Sequence, residues 1–280
     1  MIRKLDCGGK VLDLSIPQVM GILNVTPDSF SDGGRHFVPV SALQQTEKML
    51  QEGAAIIDVG GESTRPGAND VSLDEELDRV IPVIEKISDE FDTIISIDTS
   101  KPQVMSEAVK AGAAFINDVN ALRAEGAVEM AAQCGVPVCL MHMQGKPRTM
   151  QDAPTYDHVV HDVMRFLRDR VDVCTESGIN IEKIIVDPGF GFGKTLEQNL
   201  QLMRGLDAFH EFNSPVLVGV SRKSMIGAIL DADVDERLIG TVALEALAIW
   251  QGAQIIRAHD VKAAVDSVKI AAAVKTVAQI

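Results

Sequence analysis

Eight times along the chain a short apolar run, rich in β-branched residues, carries a polar residue or a glycine at or next to its end: residues 19–25, 56–60, 94–98, 115–119, 138–143, 184–188, 216–221 and 255–260. The runs lack regular polar alternation, as expected of parallel strands covered on both faces. Between them, apolar residues recur at helical spacing over 40–51, 73–89, 101–110, 158–176, 196–210 and 236–251. Strand and helix therefore alternate. Eight such units in 280 residues point to an α/β fold closed as a (β/α)8 barrel, rather than an open doubly wound sheet.

Both ends of the chain fit this plan. Residues 1–16 read as two short strands around Cys7-Gly8-Gly9-Lys10, a hairpin that would plug the lower end of the barrel, and a helix over 261–277 would complete the outer ring. No Pro/Ser-rich linker or long charge run divides the sequence, so residues 1–280 are expected to form one domain. With 46% hydrophobic and 24% charged residues, the chain can bury a large core under a wetted surface. A formal charge of −14 opposes nucleic acid and anionic membranes as partners, so an anionic substrate would need a few cations focused in one cleft. The four cysteines, Cys7, Cys134, Cys139 and Cys174, form neither a C-x-x-C pair nor a secreted framework. Neither an export signal nor a membrane-spanning run is visible, and a reduced, cytoplasmic protein is expected.

In a barrel, residues at the C-terminal ends of the strands converge on one face. Here those ends carry Asn24, Asp58, Asp98, Asn117-Asp118, His142, Asp187, Ser221-Arg222-Lys223-Ser224 and Arg257-Ala258-His259-Asp260. A lone aspartate there is usually a turn former or helix cap. Polar groups at every end, several inside apolar runs, need a ligand or a network to offset their desolvation. Arg222, Lys223, Arg257 and His259 gather after the last two runs, where barrel enzymes often hold phosphate. The glycine-rich stretches 26–34 and 60–67 read as loops that close over the mouth, with Phe30 and Arg65 as contact residues. Gly189-Phe190-Gly191-Phe192-Gly193-Lys194 lacks the full spacing of a nucleotide-triphosphate loop. His142, inside Leu-Met-His-Met, reads at least as well as a satisfied core histidine and is left out of the catalytic set.

These motifs carry a resemblance. Asn24-Val-Thr-Pro-Asp-Ser-Phe-Ser-Asp-Gly, Gly60-Gly-Glu-Ser-Thr-Arg-Pro-Gly, Asp98-Thr, Asn117-Asp-Val, Asp187-Pro-Gly-Phe-Gly-Phe-Gly-Lys, Gly219-Val-Ser-Arg-Lys-Ser and Arg257-Ala-His-Asp, in this order, resemble the bacterial dihydropteroate synthases, a pterin-binding TIM-barrel family. The resemblance implies an enzyme that joins 6-hydroxymethyl-7,8-dihydropterin diphosphate to p-aminobenzoate and releases pyrophosphate. It also implies assistance by Mg²⁺ and a second site open to sulfonamides. By resemblance the pterin is bound by Asp98, Asn117, Met141, Asp187, Lys223 and Arg257. The diphosphate falls to Asn24, Thr64, Arg65, Ser221, Arg257 and His259, with Asn24 also the metal ligand. The p-aminobenzoate positions are Phe30, Thr64, Arg65, Pro66, Phe192, Lys223 and Ser224, and the catalytic ones Asp98, Lys223, Arg257 and His259. The chemistry suits the residues: one carboxylate such as Asp187 can accept the adjacent N–H groups of an aminopyrimidinone edge, and fixed cations stabilise a departing pyrophosphate.

Two other readings share this site. The pterin-binding module of a folate-dependent methyltransferase would keep a similar Asp/Asn pair, although Thr64-Arg65-Pro66-Gly67, Ser221-Arg222-Lys223-Ser224 and Arg257-Ala258-His259 suit an aminobenzoate and a diphosphate better than a methyl carrier. A non-catalytic pterin-binding protein would bind without releasing pyrophosphate. The helix over 236–251, with Leu238, Val242, Leu244, Leu247 and Trp250, offers a face for a symmetric homodimer.

Overall fold

The polar-ended runs become the staves of a barrel. A computed structural model of the chain describes residues 4–25, 37–63, 70–145 and 149–276. After an antiparallel hairpin of β1 (Lys4–Cys7) and β2 (Lys10–Asp13) come eight strands: β3 (Gln18–Asn24), β4 (Ile56–Gly60), β5 (Ile94–Asp98), β6 (Phe115–Asp118), β7 (Val138–Met141), β8 (Ile184–Asp187), β9 (Leu217–Val218) and β10 (Ile255–Ala258). They lie parallel in the order β8-β7-β6-β5-β4-β3-β10-β9, and a parallel bridge from Val186 to Val216 joins the last strand to the first. This is a (β/α)8 TIM barrel.

The outer ring comprises α1 (Phe37–Glu52), α2 (Leu73–Glu90), α3 (Pro102–Lys110), α4 (Ala127–Cys134), α5 (Val159–Glu176), α6 (Leu196–Arg204), α7 (Ser224–Leu230), α8 (Leu238–Trp250) and α9 (Val261–Thr276). Local chemistry sets several of their boundaries. Ser72 caps α2 by accepting from the Glu75 amide, ahead of an acidic first turn, and Thr195 with Gln198 forms a reciprocal capping box on α6. The segment predicted as one helix over 196–210 breaks at Gly205 and continues as a 3₁₀ turn, Leu206–Phe212.

Side chains alternate across a strand, so each stave offers one set of residues to the barrel interior and another to the helices. Val19, Ile57, Ile95, Ile116, Val138, Val186, Val218 and Ile256 pack outward in the larger core. Met20, Ile56, Ile94, Phe115, Cys139, Ile185, Leu217 and Ile255 form an apolar floor inside. Leu5, Cys7, Leu12 and Leu14 join that floor, so the N-terminal hairpin closes the lower end. Two residues further along, the inward positions of five strands turn polar, at Asp58, Ser96, Asn117, Asp187 and Arg257, with Asp98 another step up, while β3, β7 and β9 carry Ile22, Met141 and Gly219 there. A change of polarity between layers thus divides a stabilising floor from a chemical mouth.

Among the described residues no helix is long and apolar enough to cross a membrane. Truncating Phe115, which is fully buried in the floor, should lower stability by about 3–5 kcal/mol in Phe115→Ala. A shift in urea midpoint corresponding to less than ~1 kcal/mol would show that the floor is not packed as described.

Candidate active site

In the first polar layer Arg257 reaches from β10 to two aspartates on the far staves. Its Nε donates to Asp58 Oδ2 at 2.6 Å and its Nη2 to Asp98 Oδ2 at 2.7 Å. Asn117 Nδ2 donates to the same Asp58 oxygen at 3.1 Å, which ties β6 into the group. Asp58 is wholly buried. Burial works against the charge on Arg257, but Asp58 and Asp98 outweigh it and hold the guanidinium above its ordinary range. Burial also raises the Asp98 carboxyl to about 7, against the pull of Arg257. Asp187 is likewise raised by burial, with Lys223 drawing it back.

Beyond β8 the chain from 187 to 194 is held at nearly every peptide. Asp187 Oδ1 accepts from the Gly189 amide at 2.7 Å, which orients the carboxylate. Five successive carbonyls then accept from side chains: Gly189 and Phe192 from Lys194 Nζ, Phe190 from Lys223 Nζ, Gly191 from Gln151 Nε2, and Gly193 from the Tyr156 hydroxyl. Lys194 also meets His142 Nδ1 at 3.0 Å. Burial drives the Lys194 ammonium well below the usual lysine value and His142 down to about 2, so His142 is a neutral acceptor. Lys194 is therefore an internal tether rather than a phosphate ligand, and His142 is the core histidine expected. At Gly189 φ is +69°, and an added Cβ would stand 1.8 Å from the His142 carbonyl oxygen, so only glycine fits.

Lys223 lies over the Phe192 ring, 4.6 Å from its centroid, and burial lowers its pKa to about 8. Ser221 Oγ meets both the His259 amide, at 3.2 Å, and His259 Nδ1, at 3.0 Å. A serine hydroxyl can accept at two lone pairs and donate once, so Ser221 orients the His259 ring whichever nitrogen carries the proton. Arg222, counted from sequence among the gathered cations, is a rim residue clasped in bidentate fashion by Asp260 at 2.6 and 2.8 Å. Ser224 opens α7 and is exposed, and Met141 is buried at the end of β7.

The structure thus brings together Asp98, Asn117, Met141, Asp187, Lys223, Arg257, Ser221 and His259 at the strand ends, with Phe192 under Lys223. Phe30, Thr64, Arg65 and Pro66 lie outside the described residues. Asn24, at the end of β3, flanks the same glycine as Asp98: a Cβ on Gly60 would stand 3.9 Å from Asn24 Oδ1 and 3.8 Å from Asp98 Oδ2. Among the described residues no group of three or more His, Cys, Asp or Glu side chains could hold a metal. A neutral amide oxygen is a hard donor that suits Mg²⁺ as a minor protein ligand. The sequence places Asp58 among the strand-end polar residues and Lys194 in the glycine-rich motif but assigns neither a role. Asp58 shares the inward parity of Ile56, a signal for its role that is legible in the sequence; Lys194 bonds the carbonyls of its own loop and, from a remote segment, His142, which nothing in the sequence announces.

The pterin binding enzyme family matches residues 20–259, which sets the class as pterin-binding barrel enzymes. The dihydropteroate synthase of Escherichia coli strain K12 is 55% identical over 267 residues, covering 95% of each chain. The Yersinia pestis dihydropteroate synthase, solved with a sulfonamide drug complex, superposes with a TM-score of 0.94 at 52% identity, over 98% of this chain and all of that one. The Xanthomonas albilineans enzyme, solved with 4-aminobenzoic acid, gives 0.94 at 47% identity over 99% of this chain and all of its own. This chain belongs to the dihydropteroate synthase family.

The raised Asp98 carboxyl has a sign that can be measured. Its ordinary value is 3.8 and its folded value about 7, so its contribution to stability is full below the lower value and is lost as pH rises through the upper. The wild type should therefore lose stability relative to Asp98→Asn as urea titrations move from pH 4 to pH 8. A gap between the two that stays level across this range would refute the assignment.

Proposed function

We infer that this chain condenses 6-hydroxymethyl-7,8-dihydropterin diphosphate with p-aminobenzoate to give 7,8-dihydropteroate and pyrophosphate. The observation that carries the reading is the pair of oriented carboxylates, Asp98 and Asp187, set around one fixed guanidinium above an apolar floor. A pterin placed there meets acceptors for its ring N–H groups, and groups desolvated in this way discriminate strongly against purely apolar rings. Asp187, steered by the Gly189 amide, takes the aminopyrimidinone edge. Asp98 and Asn117 take other ring nitrogens, Lys223 the carbonyl side, and Met141 a face. Arg257, restrained by Asp58 and Asp98, stacks on the ring and faces the diphosphate.

In the reaction the bond from the methylene carbon to the diphosphate oxygen breaks and the amine nitrogen bonds to that carbon. The amine gives up one proton as pyrophosphate leaves. Negative charge grows on the leaving group, where Arg257, Arg65 and His259, the last oriented by Ser221, oppose it. No enzyme nucleophile is required. Asn24 would hold Mg²⁺ together with the substrate phosphates, and the ion would neutralise charge on the diphosphate. Thr64, Arg65, Pro66, Phe30, Phe192, Lys223 and Ser224 form the p-aminobenzoate site, with Phe192 under Lys223 giving ring contact beside a cation. Residues 1–280 act as one domain, and four free cysteines suit a cytoplasmic setting.

Purified protein given both substrates and Mg²⁺ should form dihydropteroate and pyrophosphate together, and Asp187→Ala should abolish both. Pterin binding with neither product would support a non-catalytic binding protein instead.

The homodimer belongs to the same reading. Leu238, Ile239, Leu247 and Trp250 of α8 are exposed beside Ile229 and Leu230 of α7 and Ile270 and Val274 of α9. Leu244, assigned to this face from sequence, is instead buried toward the barrel. Ile239, 81% exposed, marks the patch. Ile239→Asp should move the sedimentation coefficient from dimer to monomer; a wild type that already sediments as a monomer refutes this assembly.

A further inference from the structure

β9 is the shortest stave of the barrel. Its ladder to β10 covers only Leu217 and Val218, and its link to β8 is the single bridge between Val186 and Val216. The ladder stops before Gly219, although β10 itself runs on to Ala258. Ser221 and Lys223 therefore stand on a segment that strand pairing does not hold.

Side chains carry the register on from there. Ser221 Oγ meets the amide and Nδ1 of His259, and one residue further along both segments Arg222 meets Asp260, Nε to Oδ2 at 2.8 Å and Nη2 to Oδ1 at 2.6 Å. The main chain of Arg222 is bound as well. Its amide donates to Thr241 Oγ1 in α8 at 3.0 Å, and its carbonyl accepts from Arg237 Nη1 at 3.1 Å. Together these contacts keep Arg222 at φ +56°, a left-handed conformation that is unfavourable for a residue with a Cβ and persists only where its surroundings fix it. A solvated surface ion pair would contribute little to such a turn. Here the two side chains are only 35% and 23% exposed and the contact is bidentate, and the guanidinium holds the Asp260 carboxyl below its ordinary value. Lys223 has holdfasts of its own in the Phe190 carbonyl and the Phe192 ring. The Ser221 side chain bonds only His259 among the described residues.

We propose that Arg222 and Asp260 are positioning residues for the diphosphate. Their pair extends the register of β9 against β10 beyond the ladder and sets Ser221 and His259 side by side, while Arg222 itself does not touch phosphate. The inference rests on the reading that Ser221 and His259 take the diphosphate.

The test measures two affinities by calorimetry, one for dihydropterin diphosphate with Mg²⁺ and one for 6-hydroxymethyl-7,8-dihydropterin, which lacks the diphosphate. Asp260→Asn and Arg222→Met should each weaken the first about tenfold and leave the second at the wild-type value, with the double variant no worse than either. Asp260→Asn keeps the shape of its side chain and serves if Arg222→Met fails to fold. It also removes a negative charge, which by Coulomb attraction alone would tighten the binding of an anion. Binding that weakens in Arg222→Met but not in Asp260→Asn would assign Arg222 to the phosphate directly and overturn the proposal. Two affinities that fall in step overturn it as well, since the turn would then matter to the whole site. So does diphosphate binding unchanged in both variants while His259→Ala weakens it. If His259→Ala leaves that binding unchanged, the reading of Ser221 and His259 fails, and the proposal with it.

Discussion

Taking a carboxylate out of water costs several kcal/mol, and this barrel buries two of them around one guanidinium. Arg257 lies 199 residues from Asp58 and 159 from Asp98 in sequence, yet bonds both across the lumen. The position of Asn117 depends on the same Asp58 oxygen. Without Arg257, two desolvated carboxylates would face each other; without Asp58, the guanidinium would lose the partner that sets its angle. The network therefore fixes charges before any ligand arrives, which is the arrangement electrostatic catalysis requires, since preorganised groups need not reorient as charge moves.

The opposite wall is built from backbone. Between Gly189 and Gly193 the carbonyls turn outward to Lys194, Lys223, Gln151 and Tyr156, and the Gly189 amide turns inward to Asp187. One buried side chain, Lys194, thereby holds both the Gly189 peptide, whose amide orients Asp187, and the Phe192 peptide. The positions proposed for the two substrates would share a single tether.

Much of this architecture was legible in the sequence, because eight covered strands leave an apolar signature that surface chemistry does not blur. The strand β4, read as 56–60, has those bounds, and so does β5, read as 94–98. The helices α4 and α7 escaped periodicity because they span only 8 and 7 residues, barely two turns. Polar residues inside apolar runs pointed to Asp98, Asn117, Asp187 and Arg257 for a physical reason: burial demands a partner. What could not be read was pairing. That Arg222 is spent on Asp260, and that Leu244 turns inward, depend on which distant segment packs nearby.

Gly189 carries a consequence for how such a site can change over generations. The His142 carbonyl sits where the first side-chain carbon of any other residue would go, and Gly193 meets the Gln144 carbonyl in the same way at 2.7 Å. A small molecule seated against the peptide atoms of this wall would touch a surface that the gene has almost no means of rewriting, since the contacts are main chain and the alternatives clash. Resistance to such a compound would have to arise elsewhere, at positions where side chains rather than peptides meet the ligand.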